Sequence, residues 1–231
     1  MFSALVRGYL STARGFLTPD KFVPLAIRTG HMRQLAEWMI DRAIADQRRM
    51  REAGRDITLG IAIPASLIAN RAFAERAMRQ MRRSSARLCL EITGDVAALD
   101  DPRAIQTMKD LRDAGMAIAI SGFGASPSPL APLRGHPAQE LKIGRTFTDG
   151  MVRGKPSAML VKAIIDLAHS VGMTVTAEGV ETAESLNLLQ SMGADAVQGL
   201  AIARGMPLAE FLKFDSPTLA TRSPASLKGL A

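Results

Sequence analysis

The chain predicts an α/β fold built on parallel strands, and a TIM-like barrel is a more economical arrangement than a doubly wound sheet. Strand-like and helix-like segments alternate about seven times along 231 residues. The strand-like runs are continuously apolar, as expected for strands covered on both faces. Four polar side chains, Glu91, Lys142, Glu178 and Gln198, each close a different strand.

Residues 1–7 read as a strand without lead-in, and the segment up to Gly15 as a loop. Thr18-Pro19-Asp20 opens a helix, with proline at its first position and Phe22, Val23, Leu25 and Ala26 following. A second helix spans about residues 31–53, where Leu35, Trp38, Met39 and Ile44 fall at helical spacing. Ile57–Ile63 is a strand closed by Pro64, and a helix follows over about 70–83. Arg87–Ile92 is the next strand, and 101–114 a helix stopped by Gly115. Met116–Ile120 is a strand running into Ser121-Gly122-Phe123-Gly124, and residues 125–132 form a loop. Glu140–Ile143 is a short strand, and 157–171 a helix. Met173–Thr176 leads into Ala177-Glu178-Gly179-Val180-Glu181, then a helix carrying Leu186, Leu189 and Met192, then a last strand at Ala196–Leu200. The folded domain is expected over 1–214. The Ser-, Pro- and Thr-rich stretch 215–231 is expected to be a disordered tail.

Composition narrows the function classes. With 47% hydrophobic and 22% charged residues, the chain can bury a substantial core and reads as soluble. No apolar run approaches the roughly 20 residues needed to cross a bilayer. The N-terminus lacks the features of a signal peptide, so a cytoplasmic setting is expected, and any membrane-attached region would lie upstream. The single cysteine, Cys89, excludes an internal disulfide and reads as a buried small hydrophobe. Three dispersed histidines offer no zinc spacing. The net charge of +7 invites nucleic acid, but the arginines sit on helical stretches and only one Trp and one Tyr are available for stacking, which argues against it.

The chemistry lies in the strand-end polar residues. A barrel would gather Glu91, Lys142, Glu178 and Gln198 at one rim, where parallel α/β proteins build their sites. Two carboxylates, an amide and an ammonium could hold a hard divalent cation with water, or bind phosphate through the lysine. Alternatively, such residues pair internally or face solvent, and Glu178 alone is equally a loop acid or a first-turn helix acid.

Leu90-Glu91-Ile92-Thr93, Ser121-Gly122-Phe123-Gly124, Leu141-Lys142-Ile143-Gly144, Ala177-Glu178-Gly179-Val180-Glu181-Thr182 and Gln198-Gly199, in this order, resemble the motifs of the EAL domain family. Pro19 to Gly30 resembles the family's P-x-x-F-I-P-x-A-E-x-x-G helix, and Ala203–Pro207 its closing A-R-P-L-P. The likeness runs from residue 3 to about 214. It implies a (β/α)8 barrel of the EAL type, here without the family's first strand, and a family of cyclic di-GMP phosphodiesterases and inactive relatives. The family reaction opens one phosphodiester with a water activated between two magnesium or manganese ions.

Departures from the pattern are concentrated at the implied metal ligands. The family's E-A-L-L-R corresponds to Ser3-Ala4-Leu5-Val6-Arg7, its N-x-S to Pro64-Ala65-Ser66, its D-D-F-G to Ser121-Gly122-Phe123-Gly124 and its K-I-D to Lys142-Ile143-Gly144; the second glutamate of E-L-T-E-S is Gly94. Ser3, Pro64, Ser121, Gly122 and Gly144 are therefore degenerate catalytic positions. Arg7, Lys142, Glu178 and Gln198 are the implied ligand-binding set, and Glu91, Glu178 and Gln198 the residual metal candidates. Hard cations need several oxygen ligands, so no phosphodiesterase activity and no cofactor are expected.

The first functional reading is an inactive regulatory module acting through a protein partner that the sequence does not name. The alternative is a non-hydrolysing cyclic di-GMP receptor, and a third is a weak phosphodiesterase using magnesium or manganese. Related domains pair beside the D-D-F-G strand; the matching loop 125–129 departs from the family pattern, which leaves a homodimer open.

Overall fold

The computed structural model describes residues 3–6, 10–12, 15–17, 19–94, 99–123, 136–152 and 154–214. Strand β1 (Ser3–Val6) is followed by two short strands, β2 (Leu10–Thr12) and β3 (Gly15–Leu17), and by helices α1 (Pro19–Arg28) and α2 (Met32–Glu52). Strand and helix then alternate through β4 (Thr58–Pro64), α3 (Arg71–Arg83), β5 (Leu88–Thr93), α4 (Pro102–Asp113) and β6 (Ala117–Phe123). The chain continues through β7 (Glu140–Ile143), a short α5 (Arg145–Thr148), α6 (Lys155–Ser170), β8 (Thr174–Glu178), α7 (Ala183–Ser191), β9 (Ala196–Gln198) and α8 (Leu208–Phe211).

Seven strands form one sheet in the order β1-β4-β5-β6-β7-β8-β9, every pair parallel. This is the barrel-type parallel architecture that the sequence predicts. Among the described residues β1 and β9 do not pair with each other, so the curled sheet is open between them. The outer layer meets across that seam: Arg55, just after α2, lies 5.6 Å from the ring centroid of Phe211 in α8.

Helix ends follow local chemistry. Asn70 caps α3 by accepting from Phe73 N–H at 3.0 Å, Asp101 caps α4 ahead of Pro102, and Thr182 caps α7 through Ser185 N–H. Gly115, at φ +93, takes the left-handed position that closes α4, as expected.

Strand alternation divides the sheet into two unlike faces. Leu59, Ile61, Leu90, Ile92, Ile118 and Leu141 are all at most 1% exposed and pack with Ile40, Phe73 and Met108 of the helices. The intervening residues, pointing to the other face, are small or polar: Gly60, Ala62, Cys89, Glu91, Ala119, Lys142 and Thr176. The apolar core is thus the layer between sheet and helices. The strands are buried on both faces, but only one face is oily.

Several details differ from the sequence reading, beginning with the short helices α5 and α8, which it does not contain. The segment up to Gly15, taken as a loop, holds strand β2, which pairs antiparallel with β3 from Gly15 onward; three-residue strands are too short to show alternation. Strand β6 continues to Phe123, and its register with β7 slips between Ile120 and Phe123, a bulge at Ser121-Gly122. Strand β9 ends at Gln198, two residues early, because Gly199 turns against Val180. The expected loop at 125–129 and tail at 215–231 lie outside the described residues.

Candidate functional site

Glu91 sits within β5 and Lys142 within β7, with β6 between them. The register places Ala119 of β6 level with Glu91, and its methyl-sized side chain leaves the space through which Lys142 Nζ reaches Glu91 Oε1 as an ion pair. On the other flank, a Cβ added to Gly60 would lie 2.0 Å from Glu91 Oε1. Small residues on both neighbouring strands therefore make room for a carboxylate that is 3% exposed, paired with an ammonium that is 2% exposed.

Burial alone would lower the Lys142 pKa, but Glu91, Glu140 and Glu178 outweigh it and hold the ammonium above its ordinary value, hence charged. Burial pushes the Glu91 carboxyl up, and Lys142 opposes that shift. With three carboxylates acting on one lysine, the proton resides on Lys142. Cys89, on the same face one step below, has its thiol pushed far up by burial and by Glu140 and Glu91. It is buried, as the sequence suggests, and its thiol is not activated for nucleophilic attack.

Above this pair lies the rim at the C-terminal strand ends. The Ser121 hydroxyl donates to Glu178 Oε1 at 3.1 Å, and the Thr148 hydroxyl donates to the Glu178 carbonyl at 2.7 Å. Glu178 and Gln198 face each other across β8 and β9 in register. Gly179 takes φ +72, and a Cβ there would strike the Arg145 side chain at 2.7 Å. The guanidinium of that arginine reaches Glu181 at 2.8 Å and Asp149 at 2.9 Å. Gly199 is required by backbone alone, since a Cβ would lie 2.1 Å from the Val180 carbonyl oxygen.

The structure therefore brings Glu91, Lys142, Ser121, Glu178 and Gln198 to one end of the sheet. Glu91 and Lys142 lie buried beneath the rim, while Glu178 and Gln198 are half-buried on it. Pro64 ends β4, and Gly122 and Gly144 abut: a Cβ on Gly144 would lie 3.4 Å from Gly122 Cα. Ser3 lies in β1, and Gly94, at φ +93, follows β5. Arg7 lies outside the described residues. Sequence reasoning missed Glu140, Thr176, Thr148 and Arg145. The first two had a signal: Glu140/Lys142 and Thr174/Thr176/Glu178 are polar residues at period two within strands, with Thr176 donating to Glu140 Oε1 at 2.5 Å.

Magnesium or manganese, implied by the resemblance, does not fit the described part of this rim. Glu91 is paired with the Lys142 ammonium, Glu178 accepts one hydrogen bond from Ser121 at Oε1, and no three of His, Cys, Asp and Glu among the described residues come together as a cation site, so the several oxygen ligands a hard cation needs are not assembled there.

A curled all-parallel sheet with its polar residues gathered at the C-terminal rim defines a barrel-type α/β protein with a rim-borne site. The family model of the EAL domain matches residues 1–205, and the chain belongs to the EAL domain family. It is 36% identical over 215 residues to an uncharacterized protein of Azorhizobium caulinodans, covering 89% of this chain and 29% of that one. It is 31% identical over 202 residues to the bifunctional diguanylate cyclase/cyclic di-GMP phosphodiesterase MucR of Pseudomonas aeruginosa, covering 86% and 30%. Among solved structures, the MucR phosphodiesterase in complex with cyclic di-GMP superposes with a TM-score of 0.81 at 30% identity, covering 88% of this chain and 84% of that one. The chain spans less than a third of the length of these full-length relatives.

These similarities correct one expectation. Relatives at 31% identity, MucR and NbdA of Pseudomonas aeruginosa, are named as cyclic di-GMP phosphodiesterases. The family is one of enzymes, and the sequence-based assignment of this chain as a non-enzyme is withdrawn. That assignment rested on counting lost ligands at single positions, which says how a site is built and not what the whole domain does.

Proposed function

We propose that this domain binds cyclic di-GMP at the rim formed by the C-terminal ends of its strands, and serves in bacterial cyclic di-GMP signalling. The observation that carries this reading is the likeness, over 88% of the chain, to a phosphodiesterase solved with cyclic di-GMP bound.

The chemistry of the rim supports it. The half-buried Glu178 carboxylate accepts hydrogen bonds, and the Gln198 amide both donates and accepts, which suits the donor-rich edge of a guanine. Beneath them the Lys142 ammonium offsets nearby carboxylate charge, so the phosphates of a dianion meet a less repulsive field. Ser121, Thr148 and the Gly199 turn fix the rim in place, which limits the ordering cost of binding.

Calorimetric titration of the purified protein with cyclic di-GMP, in magnesium and again in chelator, tests the reading. Saturable heat near one ligand per chain supports it; absence of heat in both buffers, on protein shown to be folded, contradicts it. Chromatography of the same samples reads turnover, the activity named for MucR and NbdA.

A further inference from the structure

The positive charge of this chain is concentrated in one sector. Residues 19–94 carry 14 Lys and Arg against 8 Asp and Glu, whereas residues 140–214 carry 7 against 8. Within that sector α3 holds five arginines and a single acid, Glu75. Attraction to the helix dipole accounts for the pair in the last turn, Arg82 and Arg83, but not for arginines along the whole length.

Helices α2 and α3 run side by side and in step. Arg76 reaches Asp41 at 3.0 Å, and Arg51 reaches the Ser85 carbonyl at 2.6 Å, so the end of α3 lies level with residues 47–51 of α2. At that level Arg48 is 82% exposed. Arg82 and Arg83 are exposed, with no carboxylate partner among the described residues.

A second observation is independent of charge. The chain's one tryptophan, Trp38, is 53% exposed on α2. Helical spacing places it in one outer stripe with Arg42, Ala45 and Arg49, all exposed. Leu25 and Ile27 of the adjoining α1 are also about half exposed, and being two residues apart on the helix only one of them can share the face of Trp38. A tryptophan and aliphatic side chains beside arginines match the layered chemistry of a bilayer surface, apolar below and phosphate above. Nucleic acid fits less well, because this face exposes a single aromatic side chain, Trp38, where successive bases need several to stack on.

We propose that the outer face of α1, α2 and α3 docks on an anionic lipid bilayer. The guanidiniums engage lipid phosphates and carboxylates while Trp38 enters the headgroup layer. The proposal is independent of whether the rim binds cyclic di-GMP.

Trp38 is its own reporter. Its emission is expected to shift to the blue on adding phosphatidylserine/phosphatidylcholine vesicles at 0.1 M salt, and to revert at 0.5 M salt as the charges are screened. Pure phosphatidylcholine vesicles should produce little change. Arg82→Glu/Arg83→Glu should weaken co-sedimentation with the anionic vesicles by roughly tenfold or more. Lys162→Glu, a charge reversal on α6 away from these three helices, should leave it unchanged. Circular dichroism confirms folding of both variants. No shift with anionic vesicles, equal binding to neutral ones, or equal loss in both variants would overturn the proposal. So would tighter binding to a labelled single-stranded oligonucleotide at the same salt.

Discussion

The ammonium of Lys142 and the carboxylate of Glu91 form an ion pair across an intervening strand, both groups almost fully buried beneath the rim. Taking two ions out of water is costly, and removing one partner leaves the other stranded. Lys142→Met is therefore expected to destabilise the fold by about 3–5 kcal/mol, measured by urea unfolding. The double variant Lys142→Met/Glu91→Leu should recover much of that loss.

Gly60 and Gly199 are both required for space, against different neighbours. A Cβ at Gly60 meets a side-chain carboxylate, whereas one at Gly199 meets the Val180 backbone, its oxygen at 2.1 Å and its nitrogen at 2.4 Å. Gly60→Ala should cost about 1–3 kcal/mol, the usual range for overpacking. Gly199→Ala should cost more, because strand-end backbone must move. Thermal melts of the two variants, compared with the parent, check the order.

Burial pushes the His136 imidazole below its ordinary value of 6.5, partly opposed by Asp100, and its buried Nε2 finds no hydrogen-bond partner in the described structure. Below that value the unfolded chain takes up a proton that the folded chain refuses, so stability falls as pH drops from about 7 towards 5. Urea midpoints measured across this window should decline for the parent, and the decline should be shallower in His136→Phe.

Gln198 stands level with Glu178 on the rim. If the amide contacts the bound nucleotide, Gln198→Ala should weaken cyclic di-GMP binding by about tenfold, the loss of roughly one hydrogen bond to a desolvated partner. Melting temperature should barely change, since the side chain is half-exposed.

Much of this arrangement was legible in the sequence. Apolar runs such as Leu88–Ile92 and Leu141–Ile143 marked strands, while Asn70, Pro102 and Gly115 marked helix ends, because these signals are local. The polar residues were legible for the same reason: Glu178 and Gln198 end their strands, whereas Glu91 and Lys142, expected to close theirs, each interrupt an apolar run one or two residues before the strand ends. What the sequence did not show is pairing across strands. Lys142 stood as a candidate ligand for phosphate, yet the structure takes it below the rim to Glu91, through space left by Gly60 and Ala119 on neighbouring strands. That space depends on register, and no property of Lys142 itself reports it. Thr148 and Arg145 were missed because their partners, Glu178 and Glu181, lie about thirty residues downstream.

A crystal structure of this protein grown with saturating cyclic di-GMP tests the rim as the nucleotide site. Nucleotide density is expected over the C-terminal strand ends, in contact with Glu178 and Gln198 and above the Lys142–Glu91 pair. Density at any other surface, or an empty rim at saturating nucleotide, would contradict it.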